Sequence, residues 1–129
     1  MTRTAALALL PLLAACASLP ADTARADLAA ILDGRSAGVP VRCLDRQGID
    51  GPQIVDARTL IYRENRRRLW VNTLPAACPA LRRDSYLIVQ MYGSQLCEND
   101  RFQAAQSTDV VPGPICRLGR FVPWDLPRR

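Results

Sequence analysis

Residues 67–74 read Arg-Arg-Leu-Trp-Val-Asn-Thr-Leu, and the alternation of polar and apolar side chains in this stretch decides the fold. Successive side chains of a β-strand point to opposite faces of its sheet, so the stretch predicts a strand. Leu69, Val71 and Thr73 would share one face of it. Residues 54–63 predict the preceding strand, with a hairpin tip at residues 64–66. Pro75 ends the pair, because proline has no backbone N–H to donate to a ladder.

The chain after Gly38 consists of short apolar runs separated by glycine, proline, asparagine and aspartate, which is typical of an all-β domain. Further strands are predicted at residues 41–44, 86–92, 101–106 and 115–122. Residues 23–32 predict one short helix with an apolar face formed by Ala24, Leu28, Ile31 and Leu32. We therefore expect a mostly β fold, either a small disulfide-stapled antiparallel sheet or a partly open barrel, with this one N-terminal helix.

The first fifteen residues have the pattern of a secretory signal peptide, with an arginine at position 3 and an apolar run over residues 5–13. Leu13-Ala14-Ala15-Cys16 resembles the lipobox of bacterial lipoproteins, in which the signal is cut before a cysteine that carries acyl chains such as palmitate. Ala15-Cys16-Ala17 also fits ordinary signal cleavage, which would release a soluble protein beginning at Ser18. The cysteine count favours lipidation.

Lipidation of Cys16 would divide the chain into a signal peptide (1–15), a lipidated cysteine with its tether (16–22) and one domain (23–129) with a β region at 39–125. Two or more acyl chains hold a protein to a membrane, whereas a single chain binds only marginally. In the lipoprotein sorting pattern that the resemblance implies, aspartate after the cysteine retains a protein in the inner membrane. Ala17 stands there, so we expect the periplasmic face of the outer membrane.

Composition argues against several classes of catalytic site. All 17 basic residues are arginine, against 12 acidic residues, and the chain has no histidine. Without histidine there is no Ser-His-Asp or Cys-His nucleophile and no usual zinc site. The sequence also has no Cys-x-x-Cys motif and no glycine-rich phosphate loop. We expect no cofactor, no metal and no enzymatic activity, and we expect no nucleic acid as a partner outside the inner membrane.

The five cysteines stand at positions 16, 43, 78, 97 and 116, and lipidation of the first leaves an even number for disulfides in an oxidising compartment. Three pairings are then possible. We favour Cys78–Cys97, which would close a loop around the 86–92 strand, and Cys43–Cys116, which would join the first strand to the last. A four-cysteine metal site fits poorly, because metal ligands normally come in closely spaced pairs.

Four short motifs follow one another along the chain: Arg42-Cys43-Leu44; Leu74-Pro75 with Cys78-Pro79-x-Leu81; Leu96-Cys97-x-x-Asp100; and Cys116-x-Leu118-Gly119-x-Phe121-x-Pro123. In this order they resemble a family of small, uncharacterised proteobacterial envelope proteins whose domain has no assigned function. The resemblance covers residues 42–123. It implies a secreted domain stapled by its cysteines and assigns no catalytic residues. The chain departs from the family at Ala80, where the family carries glycine after Cys-Pro.

The arginines around the hairpin tip form the candidate binding site. Arg63, Arg66 and Arg68, with Trp70, predict a surface on which guanidinium groups bind phosphate bidentately while the indole contacts a sugar or an acyl chain. The alternative is a solvated tip whose arginines only protect a sheet edge from aggregation. We expect a non-catalytic envelope lipoprotein that binds a protein or an anionic glycolipid at the membrane.

Three carboxylates support the alternative function. Asp84, Glu98 and Asp100 could provide the acid–base pair of a hydrolase that acts on an envelope polymer. The simpler interpretation is that residues 98–100 form a turn whose side chains bond nearby backbone amides.

Overall fold

The computed structural model describes residues 20–128, which form one helix and ten strands. The helix, α1, spans Pro20–Leu32 and so begins three residues before the helix expected at 23–32. The strands are β1 (Ser36–Ala37), β2 (Cys43–Asp45), β3 (Asp50–Asp56), β4 (Thr59–Arg63), β5 (Arg68–Thr73), β6 (Tyr86–Gln90), β7 (Gln95–Cys97), β8 (Arg101–Ala105), β9 (Ile115–Arg117) and β10 (Phe121–Asp125). The predicted signal peptide and Cys16 lie outside the described residues.

The strands form three antiparallel sheets. The large sheet has the order β1-β10-β5-β4-β3, the three-stranded sheet has the order β6-β8-β9, and β2 pairs with β7 alone. None of the three closes into a barrel. The prediction of a mostly β, antiparallel fold with one helix is therefore confirmed, in its open-sheet form.

Two predicted strands are each divided in the structure. The strand expected at 54–63 is interrupted by a turn at residues 57–58, because the Asp56 carboxylate accepts hydrogen bonds from the Arg58 amide (2.7 Å) and the Thr59 hydroxyl (3.2 Å). Asp and Asn side chains that bond the backbone two residues on are a common cause of turns. The strand expected at 115–122 ends at Arg117, and the chain then enters the large sheet at Phe121.

The large sheet is buried on both faces. Helix α1 covers one face, where its predicted apolar side chains pack against Val55, Ile61, Leu69 and Val71. The other face packs against the smaller sheets, through a cluster that includes Tyr62, Trp70 and Phe121. Trp70, which we expected beside exposed arginines, is therefore a core residue. No helix within residues 20–128 is long and apolar enough to cross a membrane.

Both disulfides are present, but the favoured pairing is wrong. The structure joins Cys43 to Cys97 and Cys78 to Cys116. The first pairing follows from the sheet order, since β2 pairs with β7 and places Cys43 directly opposite Cys97. The second joins the loop after β5 to β9. We had expected the first strand to meet the last, whereas the last strand, β10, has no cysteine and lies in the large sheet.

Candidate functional site

The hairpin tip between β4 and β5 is built by a single side chain. The Asn65 carboxamide oxygen accepts hydrogen bonds from the backbone amides of Arg67 (2.8 Å) and Arg68 (2.9 Å). The Glu64 amide then bonds the Arg68 carbonyl and closes the turn. The tip stands where the sequence predicts it, and Tyr62 lies opposite Trp70 in the hairpin.

Of the predicted anion-binding residues, Arg68 is already occupied. Its Nε and Nη2 donate to the two carboxylate oxygens of Asp125 at 2.8 and 2.9 Å, which is the bidentate geometry we had expected for a ligand phosphate. This bonding raises the pKa of Arg68. The pKa of Asp125 is lowered, first by the hydrogen bonds from Arg68 and then by the nearby arginine charges, against an opposing effect of burial.

Trp70 and Arg63 are also engaged within the protein. The Trp70 indole N–H donates to the Glu64 carboxylate at 2.7 Å, and the Arg68 guanidinium carbon lies 5.5 Å from the centre of the Trp70 ring. The sequence predicts this stacking, but the Trp70 ring lies on the core-facing side of the sheet. Arg63 donates to the side chain of Gln53 at 3.0 Å. No ligand contact is therefore left for the indole of Trp70.

The structure adds arginines that sequence reasoning missed. Arg35 follows the end of α1 and donates to the backbone carbonyls of Arg66 and Arg67. Arg128 lies across a cleft of about 430 Å³ from Arg67 and Arg68. We call this group the arginine end. Its arginines lie beside the carboxylates of Glu64, Asp125 and Asp50, the last of which stands directly opposite Arg63 on β3. The six arginines of this group are Arg35, Arg63, Arg66, Arg67, Arg68 and Arg128. The cleft, which is also lined by Asn65 and Leu126, is its concave part.

The chain enters the domain at the opposite end of the large sheet. The first turns of α1 and the β3–β4 turn line a groove of about 1000 Å³, at which Ala21 and Thr23 face Ala57 and Arg58. Arg83, also in this groove, forms an ion pair with Asp27. Arg83 and its neighbour Arg82 are therefore not part of the hairpin tip. A helix of thirteen residues is about 20 Å long, which separates the groove from the arginine end.

The carboxylates of the hydrolase hypothesis all have structural partners. Glu98 contacts the guanidinium groups of Arg42 and Arg120 at 3.3 and 3.4 Å. Asp100 accepts from the Cys97 amide at 2.7 Å, and Asp84 accepts from the Gln106 side chain at 2.7 Å. Residues 98–100 form the expected turn, with Asn99 at φ 71°.

One buried polar atom has no partner. The Tyr62 hydroxyl bonds to nothing within residues 20–128, and burial raises the pKa of this phenol well above its usual range. The described residues also contain no group of three or more side chains able to hold a metal ion.

A family of unknown function, DUF6491, matches residues 1–125, and the chain belongs to this family. No curated protein and no solved structure matches the chain.

Proposed function

We propose, since membership of this family assigns no activity, that the protein is a non-catalytic lipoprotein of the cell envelope, anchored through Cys16. Its arginine end would bind an anionic protein or glycolipid. The predicted signal peptide and the residues after Cys16 support the periplasmic face of the outer membrane. The two disulfides agree with an oxidising compartment, because cytosolic proteins rarely keep such bonds.

The excess of arginine at one end of the large sheet carries the binding proposal. Arg68 and Asp125 neutralise each other, and Glu64 lies 4.0 Å from Arg68, but Arg66, Arg67 and Arg128 remain exposed around the same turn and cleft. Guanidinium groups bind carboxylates and phosphates through paired N–H donors. The ligand groups that fit are therefore Arg66, Arg67 and Arg128, rather than the Arg68 and Trp70 pair expected from the sequence. Of these, Arg67 also donates one hydrogen bond to the Leu126 carbonyl at 3.3 Å and keeps its other guanidinium donors for a ligand.

The position of this end favours a partner that lies beyond the anchoring leaflet. The tether would leave from the start of α1, about 20 Å along the helix from the arginine end. An anchored domain can thus present its arginines away from the membrane that holds it. The hydrolase alternative gains no support, because Glu98 and Asp100 are held by Arg42, Arg120 and a backbone amide.

The test is crosslinking and recovery of the tagged full chain from cell membranes, comparing the native protein with Arg66→Gln/Arg67→Gln. The matched control is Arg46→Gln/Arg82→Gln, which removes the same charge from two exposed arginines elsewhere. We expect one protein or phosphorylated glycolipid to be recovered by the native chain and the control, and to be lost from the tip variant. Recovery of the same partner by all three forms would contradict the proposed site.

The anchor is tested separately by mass spectrometry of the mature N-terminus. Acyl chains on Cys16 are the expected result. An N-terminus at Ser18 without lipid would overturn the lipoprotein part of the proposal and leave the arginine end to be judged on its own recovery experiment.

A further inference from the structure

The three-stranded sheet β6-β8-β9 buries one face and exposes the other. Leu87, Val89 and Phe102 pack in the core, and the alternation in residues 86–92 predicts this for the first two. On the opposite face, Ile88, Gln103 and Ile115 stand directly across from one another on the three strands. Ile88 is 42% exposed, Ile115 is 58% exposed, and neighbouring Tyr86 is 52% exposed. The outer face therefore carries exposed apolar side chains on its two edge strands, on either side of the polar Gln103.

The loop that leads into β9 extends this apolar surface. Val110 and Val111 are 97% and 74% exposed, and they come four residues or so before the strand begins. Scattered single apolar residues on a surface are ordinary, whereas a contiguous apolar patch marks an interaction site. Tyr86, Ile88 and Ile115 on the sheet and the two valines of the loop that leads into β9 are the exposed apolar side chains of this region.

Two arginines at one end of this face make it unusual. Arg101 and Arg117 stand directly opposite each other on β8 and β9, and both are exposed. Like charges in this position destabilise a sheet. Neither has an acidic partner within residues 20–128, whereas Arg42 and Arg120 nearby share Glu98. An anionic ligand would relieve the repulsion that the fold leaves in place.

The three-stranded sheet is linked to the end of the domain where the chain enters. The disulfide Cys78–Cys116 joins β9 to the loop after β5, and the Cys78 amide donates to the Ala57 carbonyl in the β3–β4 turn. That turn lines the same groove as the first turn of α1. Three residues separate Cys16 from Pro20. Even if this segment were fully extended, Cys16 would lie within about 15 Å of Pro20.

We infer that the outer face of the three-stranded sheet binds the anionic surface of a phospholipid membrane. Ile88, Ile115 and the Val110–Val111 loop would enter the headgroup region while Arg101 and Arg117 contact lipid phosphates. A membrane surface matches both halves of the face, since it offers apolar and negatively charged groups side by side. The nearness of this face to a membrane rests on the proposed anchor. The exposed apolar side chains and the paired arginines are independent of it.

The experiment uses the full chain with excess vesicles of phosphatidylcholine, with or without phosphatidylglycerol. Ile115→Trp places a reporter on the face, and brominated lipids quench it on contact. Val39→Trp is the matched control, because Val39 is 81% exposed and follows β1, an edge strand of the large sheet rather than of the three-stranded sheet. Quenching of native Trp70 and Trp124 is subtracted. Retention on neutral vesicles reports the anchor separately.

We expect strong quenching of the Ile115→Trp reporter in anionic vesicles and little of the Val39→Trp reporter. In the Ile115→Trp background, Arg101→Gln/Arg117→Gln should weaken the binding equilibrium of the face about 30-fold, since each basic residue near an anionic surface contributes about fivefold. Thermal unfolding should show that this variant is folded, because it removes a repulsion. The inference would be overturned by equal quenching of both reporters or by the absence of any effect of the arginine substitutions. It would also be overturned if dimer formation alone were found to shield the face from water.

Discussion

The large sheet and the two smaller sheets are stabilised by different means. All four disulfide cysteines lie outside the five strands of the large sheet, on β2, β7, β9 and the loop after β5. The large sheet is covered on both faces and fully buries Leu60, Ile61 and Leu69. The smaller sheets have strands of only three to five residues, one of them with an exposed apolar face. Hydrophobic burial alone holds the large sheet, whereas the smaller sheets share part of that core and carry the covalent links in addition.

Removing the disulfides should break this comparison most strongly. In the chain-entropy view, closing loops of 54 and 38 residues stabilises the protein by about 4 kcal/mol each. We expect Cys43→Ala/Cys97→Ala and Cys78→Ala/Cys116→Ala each to lose a comparable amount in urea unfolding. Hydrogen exchange under native conditions should then show amides of the smaller sheets exchanging first.

The control for this prediction lies within the same exchange experiment. Amides of β4 and β5 report the large sheet, which contains no cysteine. If these amides lose protection in step with those of β6 and β8, the two regions unfold together. The distinction between a large sheet held by hydrophobic packing and smaller sheets held by disulfides would then be wrong.

The junction between the two regions depends on one buried side chain. The Asn72 carboxamide on β5 donates to the Gly119 carbonyl and accepts from the Gly119 amide, both at 2.8 Å, in the segment that joins β9 to β10. Asn72→Ala leaves both backbone groups buried without partners, at a cost of about 3 kcal/mol. Asn65→Ala in the exposed hairpin tip is the matched control, and should cost about 1 kcal/mol or less.

Urea unfolding of the two asparagine variants gives the answer, with the native chain as reference. If Asn72→Ala lowers the free energy of unfolding no more than Asn65→Ala does, the junction is held by packing alone. Gly119 itself cannot be used for this purpose, because an added Cβ would clash with the Thr73 carbonyl oxygen and force the backbone to move.

Sequence predicts the local part of this structure and misses what depends on long-range placement. The alternation at 67–74 and 86–92 predicts strands that the structure has at Arg68–Thr73 and Tyr86–Gln90, but it does not show that the large sheet is covered on both faces. Trp70 is therefore buried on the side we expected to be exposed. The Arg68–Asp125 pair joins residues 57 positions apart, and no local pattern points to it. Disulfide pairing likewise follows from strand order, which the cysteine spacing does not reveal.

The smallest predicted effect concerns that ion pair. Because the folded-state pKa of Asp125 is lowered, its stabilisation is present above the unfolded-state value of about 3.9 and is lost as pH falls through the folded-state value. Both side chains are partly exposed, so we expect the pair to contribute only about 0.5–1 kcal/mol. The native protein should have a higher free energy of unfolding than Asp125→Asn at neutral pH, and this difference should disappear at acidic pH.

A double-mutant cycle separates this charge effect from lost packing. In an Arg68→Gln background, Asp125→Asn should change stability equally at neutral and acidic pH, because the cation that lowers the carboxyl pKa most is absent. A pH-dependent difference that survives there would assign the effect to Arg35 and Arg67 instead. That outcome would make Asp125 a counter-ion of the whole arginine end, so that an anionic partner would have to compete with it. If the difference instead disappears with Arg68, then Asp125 is committed to a structural pair, and Arg66, Arg67 and Arg128 are left to bind the partner.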